Sequence, residues 1–248
     1  LHLAAYLIVI TVGLLFGSFT NVIIARMPVG ESIVFPPSHC PHCNKQLRAV
    51  DLVPVFSYLF LRGHCRYCQQ TISIRYPLVE VLCALLFMIV YLRWGLTMTT
   101  VSGCVFSVIL LSAAFIDLDH GIIPDILTYP GMVIGLMLSF KTLGFLPALY
   151  GTLAFGGLMF AVAFISKGGM GGGDVKLAGV IGAFTGITGS AVTLLMASLL
   201  GAIFGLGVMA VKKTGRKTPI KFGPFLAVSA YIAFLFADAI ASWYLGLL

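Results

Sequence analysis

The sequence predicts an all-α polytopic membrane protein of about eight transmembrane helices, with one small cysteine-bearing polar loop. Three observations lead there. The 248 residues are 60% hydrophobic and only 9% charged, with a mean hydropathy of +1.08. Soluble domains carry roughly 25% charged residues and about 45–50% apolar ones. A core of this size cannot hide so much apolar surface from water, so the solvent has to be lipid. The apolar residues also fall into runs of membrane length, and the one long polar stretch, about 26–75, holds two cysteine pairs.

A spanning helix needs about 20 mostly apolar residues. Eight runs meet or approach that length: 3–25, 76–93, 100–118, 126–141, 145–165, 176–188, 191–211 and 223–246, the fourth and sixth being short. The first run lacks a basic leading region and a small-residue cleavage site before Arg26. It is therefore expected to be a retained membrane helix and not a signal peptide. The expected organisation is a first transmembrane helix in 1–25, a cytoplasmic four-cysteine loop in 26–75 and a helical membrane domain in 76–248.

The formal net charge is +7. The basic residues punctuate apolar segments and form no face, which argues against a nucleic-acid partner and makes them markers of orientation. With the polar loop inside, 13 of the 15 basic residues are cytoplasmic: Arg26, Lys45, Arg48, Arg62, Arg66, Arg75, Lys167, Lys176, Lys212, Lys213, Arg216, Lys217 and Lys221. Only Arg93 and Lys141 fall outside. This bias places the loop in the cytoplasm and both termini outside. The basic stretch from Lys212 to Lys221 is expected to meet anionic lipid headgroups.

The loop reads Cys40-Pro-His-Cys43, then 21 residues, then Cys65-Arg-Tyr-Cys68. Each pair puts two thiolates on one tight turn, and two such turns complete a tetrahedral four-sulfur zinc site. Cytoplasmic redox poise disfavours disulfides, so metal is preferred over a pair of redox motifs. Four protein ligands leave no open position, so the zinc is expected to be structural and to fold a small ribbon. His39, His42 and His64 flank the cysteines as local hydrogen-bonding residues, and Cys83 and Cys104 read as apolar helix residues.

The chain has eight acidic residues, and a carboxylate in or beside a span is costly enough to suggest function. Asp117 and Asp119 end the third span, Asp125 begins the fourth, Asp174 precedes the sixth after Gly171-Gly172-Gly173, and Glu80 lies one turn into the second. All five fall on the expected cytoplasmic side. Two carboxylates brought close share one proton, because both cannot ionise together. The ionised member can activate water and the protonated one can donate to a scissile carbonyl, which cuts peptides without metal. The run Gly168 to Gly173 cannot be a stable continuous helix and lets another chain approach. Lys176 follows these glycines, but the order of a phosphate-binding loop is absent. From the residues alone, Asp119 and Asp125 serve equally as helix caps or as catalytic groups, Glu80 equally as the partner of a basic loop residue. A transporter would also use intramembrane acids, and a pilin-assembly scaffold could dock through the cysteine loop; the chain shows no inverted repeat, and the scaffold would not need its aspartates.

These motifs stand in a recognisable order. Gly17-Ser18-Phe19-Thr20-Asn21-Val22, the paired Cys-x-x-Cys turns, Arg75-Tyr76-Pro77-Leu78-Val79-Glu80, Ile116-Asp117-Leu118-Asp119-His120, Pro124-Asp125, Gly169-Met170-Gly171-Gly172-Gly173-Asp174-Val175-Lys176-Leu177 and Phe222-Gly223-Pro224-Phe225-Leu226 together resemble the type IV prepilin peptidase family. The resemblance implies an inner-membrane aspartic peptidase that removes the basic leader of prepilins or pseudopilins at the cytoplasmic membrane face. It also implies N-methylation of the new N-terminus with S-adenosylmethionine. It assigns catalysis to Asp117 and Asp174 and zinc to Cys40, Cys43, Cys65 and Cys68; Asp119, Asp125, Glu80, Gly171, Gly173 and Lys176 are expected to support the active site. Gly172 and Val175 depart from the family, which often has aromatic residues at both places.

Overall fold

A computed structural model describes residues 2–166, 170–212 and 221–246. Lys167, Gly168, Gly169, Lys213, Arg216 and Lys217, together with the side chain of Lys212, lie outside what is described. The described residues are helical, with no strand beyond two isolated bridges in the cysteine loop. The helices are α1 (His2–Arg26), the short α2 (Phe56–Phe60), α3 (Arg75–Trp94), α4 (Met98–His120), α5 (Asp125–Ser139), α6 (Phe145–Ile165), α7 (Gly172–Lys212) and α8 (Gly223–Leu245).

Six of these helices are long and apolar enough to cross a membrane. The difference from eight runs has two physical sources. At about 1.5 Å per residue, the 15-residue α5 is shorter than a bilayer core of about 30 Å, yet it goes out and α6 returns, so that Asp125 at its start meets Lys176 at the start of α7. The sixth and seventh runs are two helices that meet at a kink at Gly186, φ 65° and ψ −166°, and count together as the one long apolar stretch α7; the chain turns back there, since Gly223 beyond its end meets Asp117. A positive φ is cheap only for glycine, so the joint falls there, three residues before the expected break at 189–190.

The chain divides into two compact units, residues 1–100 and 101–248. In the first, α1 packs along α3. A methyl group on Gly17 would lie 2.5 Å from the Glu80 Cα, so glycine is what permits this approach. Phe16 packs on Phe87 and Tyr6 edge-on against Tyr91, both with ring centroids 5.8 Å apart. The cysteine loop hangs between these two helices.

In the second unit, α7 packs against α5, α6 and α8. Gly151 of α6 meets α7 so closely that a side chain would fall 2.6 Å from the Gly182 carbonyl oxygen. Phe106 of α4 stacks on Phe184 of α7 at 4.6 Å, and Ile116, Leu177, Ile181 and Leu226 complete a fully buried core. The outer faces stay apolar: Leu153 and Phe160 are each 63% exposed and Phe164 78%. Apolar surface on this scale suits lipid contact and not water.

Candidate active site and metal centre

In the second unit, helix ends gather the acids. Asp117 lies in the last turn of α4, 6% exposed. Asp174 lies in the first turn of α7, where its N–H donates to the Gly171 carbonyl at 3.1 Å. The two carboxylates are near enough to interact electrostatically. A methyl on Gly171 would stand 3.5 Å from Asp174 Oδ2, an ordinary contact. Gly173 is different: a methyl would press on Ile123 Cβ at 2.9 Å, so this glycine seats the start of α7 against the α4–α5 turn.

Sequence reasoning did not anticipate the third component of the site. The N–H of Gly223, at the start of α8, donates to Asp117 Oδ2 at 3.0 Å in a buried bond. A helix N-terminus carries unpaired donors and a positive partial charge. Lys221, read from the sequence as part of a headgroup-binding stretch, donates to the Leu118 carbonyl at 2.6 Å and adds its charge near Asp117. The available signal was the motif Phe222-Gly223-Pro224-Phe225-Leu226, which carried part of the resemblance without being given a role.

The supporting acids separate. Asp125, exposed at the start of α5, forms an ion pair with Lys176 at 2.5 Å, and the Lys176 ammonium also sits 5.4 Å from the centre of the Tyr129 ring. Asp119 is exposed on the last turn of α4, two residues beyond Asp117. Glu80 belongs to the first unit, where it is buried and accepts hydrogen bonds from the Val55 N–H at 2.7 Å and from Ser18. Its partners there are a backbone amide and a hydroxyl, which tie the loop to α3.

The four loop cysteines converge. All four sulfurs lie within 4.8 Å of one another, and Cys40 and Cys68 are 3.8 Å apart. Four sulfurs held about 2.3 Å from one zinc stand roughly 3.8 Å apart in a tetrahedron, so this donor set fits that ion. The two turns are built alike. Cys40 N–H donates to the Lys45 carbonyl and Cys65 N–H to the Gln70 carbonyl, at 3.0 and 2.9 Å. Asn44 and Gln69 both take positive φ, 54° and 57°, one residue beyond each pair. Burial pushes the Cys40 thiol up, but N–H groups of Cys43 and His42 and the thiols of Cys65 and Cys43 outweigh it and bring the group down to about 6. His39 and His64 each direct Nδ1 to a carbonyl, of Pro37 and Arg62, and neither joins the cluster. Asp51 braces the second turn through Arg66 at 2.6 Å and the Tyr67 hydroxyl at 3.2 Å.

A helical membrane protein with two carboxylates at the ends of α4 and α7 and a four-thiol cluster able to hold a metal is thus defined. Comparison with known proteins narrows it. Residues 11–94 match the bacterial peptidase A24 N-terminal domain, and residues 104–206 match the type IV leader peptidase family. The chain is 37% identical over 263 residues to a prepilin leader peptidase/N-methyltransferase of Aeromonas hydrophila, covering 94% of this chain and 91% of that protein. It is 37% identical to the protein of the same name from Neisseria gonorrhoeae, covering 94% and 92%. The counterpart in Pseudomonas aeruginosa is 34% identical, with 98% and 94% covered. No solved structure matches. The chain belongs to the type IV leader peptidase family.

Proposed function

We propose that this protein is a membrane aspartic endopeptidase that removes the basic leader from type IV prepilins or pseudopilins and then N-methylates the new N-terminus. The observation that carries the peptidase half is the pair Asp117 and Asp174, presented by the ends of α4 and α7 in one unit. The ionised carboxylate takes a proton from water as the oxygen attacks the scissile carbonyl carbon. The protonated one donates to the carbonyl oxygen. Collapse of the tetrahedral adduct breaks the C–N bond, and the leaving amine takes the proton that water gave up. Lys176 and Asp125 hold the first turn of α7 to that of α5.

The enzyme is a multi-pass protein of the inner membrane. The excess of basic residues beside the loop and the α4, α5, α7 and α8 ends supports a cytoplasmic active site and metal loop, with the termini outside. There a pilin's basic leader would lie in water and its apolar helix in lipid. Zinc on Cys40, Cys43, Cys65 and Cys68 is structural. S-adenosylmethionine, when bound, would supply the methyl group taken up by the new N-terminal amine.

The test is cleavage of a prepilin by purified protein in detergent, with Asp117→Asn and Asp174→Asn made separately. Both variants are expected to be inactive while retaining the fold and metal. Full cleavage by either one removes that residue from the dyad, and a folded wild type that never cuts favours a transporter or assembly scaffold. Labelled methyl transfer to the cleaved product tests the second activity.

A further inference from the structure

The short α2 is apolar on its outer side. Its inner residues Ser57 and Tyr58, with Leu61 just beyond, line a cavity of about 580 Å³ shared with α1 and α3. Outside, Val53, Phe56 and Leu59 are exposed, and Phe60 is 84% exposed. Positions 56, 59 and 60 share one helix face, so these side chains form a patch. An apolar patch of this kind marks a surface that is covered in use.

Hydrogen bonds fix the depth of that patch. The N–H of Val55, the residue that opens α2, donates to Glu80 Oε2 at 2.7 Å. Glu80 also accepts from Ser18 of α1. Glu80 lies five residues into the 20-residue span that begins at Arg75, about 7.5 Å along its axis. Ser18 lies eight residues before Arg26, where α1 ends, or about 12 Å. A helix of 20 residues is about as long as the hydrocarbon core is thick, roughly 30 Å. The start of α2 is therefore held level with the first turns of the spans and not out in water. The outward residues of α1 and α3 near that level, Phe19, Leu78 and Val81, are exposed and apolar too. An interfacial helix sinks its apolar face about 5–10 Å into the boundary between headgroups and acyl chains, which is the depth found here.

The backbone also meets the condition that lipid imposes, namely that its polar groups be satisfied within the protein. Pro54 has no N–H. Val55 gives its own to Glu80, and Ser57, Leu59 and Leu61 give theirs to the carbonyls of Val53, Val55 and Ser57. Arg62, exposed just past the helix, has a side chain long enough to reach headgroup phosphates from that level.

We propose that α2 is an interfacial membrane anchor, with Val53, Phe56, Leu59 and Phe60 inserted among the acyl chains of the leaflet on the loop's side. The cysteine loop is thereby held against the bilayer at a third point, besides its joins to α1 and α3.

The full-length protein would be placed one copy per nanodisc of phosphatidylcholine and phosphatidylglycerol, without prepilin. Trp94→Phe and Trp243→Phe remove both natural indoles. In that background Phe60→Trp and, separately, Leu59→Trp report on the patch, and melting temperature and zinc content report on the fold of each. Emission is expected to be quenched strongly by phosphatidylcholine brominated on its acyl chains and scarcely by iodide in the buffer. Quenching by iodide with indifference to bromine overturns the proposal, because the patch then faces water. Indifference to both overturns it as well, because protein then covers the patch. Phe56→Asp combined with Phe60→Asp should speed tryptic cleavage after Arg62 several-fold in nanodiscs while zinc is retained; an unchanged rate contradicts insertion.

Discussion

Replacing Gly223 by alanine probes the geometry around Asp117 without touching a carboxylate. The added methyl would stand 2.7 Å from Asp117 Oδ2 and 3.0 Å from its Cγ. Real side chains do not tolerate that separation, so either the carboxylate turns away or α8 retreats. Both responses break the 3.0 Å bond from the Gly223 N–H. A hydrogen bond to a charged group contributes about 1.5–3 kcal/mol. Lost from the transition state alone, that is roughly a 10- to 150-fold fall in kcat/KM. The site lies at the start of α8, where alanine is otherwise a good helix residue, so the fold should survive. The assay is the initial rate of prepilin cleavage in detergent micelles, with melting temperature and zinc content measured beside it. Gly157→Ala is the control, because a methyl there meets nothing within 4 Å. A wild-type rate for Gly223→Ala, with Asp117→Asn inactive, would refute the claim that the start of α8 sets the working position of Asp117. Equal losses in both alanine variants would refute it too.

Lys176→Met should cut the cleavage rate by about tenfold while leaving the melting temperature almost unchanged, because exposed ion pairs contribute little to folding; a rate loss accompanied by a large fall in melting temperature would contradict a positioning role. Elemental analysis should find about one zinc per chain, and Cys65→Ser should lose it and expose residues 26–75 to protease; a metal-free wild type that resists protease would sink the zinc assignment. Asp51 gives a pH signature. Burial raises its carboxyl, but hydrogen bonds from Arg66, the Arg48 N–H and Tyr67 and the charge of Arg66 outweigh this and hold it below the usual range. Its stabilisation is therefore complete above the unfolded value of about 3.9 and is lost as pH falls through the lower folded value. Asp51→Asn should lower the melting temperature by a similar amount from neutral pH down to about pH 4 and converge on wild type only below that; a gap that closes near pH 6 would show another group at work.

Much of the fold was legible because lipid imposes a simple rule on sequence. Apolar runs fall on α1, α3, α4, α6 and α8 within a few residues. The joint in α7 was also foreseen, though not its residue: hydropathy marks a weak point, while the choice of Gly186 depends on a positive φ that composition does not encode. The cysteine spacing announced a four-thiol cluster because each pair closes on a local turn. What sequence could not supply are pairings between distant segments. Gly223 reaches Asp117 across 106 positions, Lys176 reaches Asp125 across 51 and Val55 reaches Glu80 across 25. No local period records these bonds, and so residue chemistry alone left Asp117 and Asp174 undistinguished from Asp119, Asp125 and Glu80. The cavity is a still longer-range product, since its wall draws on α1, the cysteine loop and α3 together.

The placement of the acids at helix ends follows from the cost of charge in lipid. A carboxylate in the middle of a span would meet only paired backbone groups, and its charge would go uncompensated. At an end it meets donors that the helix itself cannot satisfy. The start of α8 is built for this: Pro224, in its first turn, has no N–H to satisfy, and the Gly223 N–H just before it is given to Asp117. Gly223 is also the residue type that lets the carboxylate come so near. Asp174 lies in the first turn of its own helix, where the same positive end favours a nearby negative charge. Asp117 can therefore be buried and Asp174 half-buried while one charge is retained, as the proposed aspartic dyad requires. Gly-Pro opening one apolar helix and Gly-Gly-Gly-Asp opening another are thus two halves of one electrostatic arrangement, separated in sequence and joined by the fold.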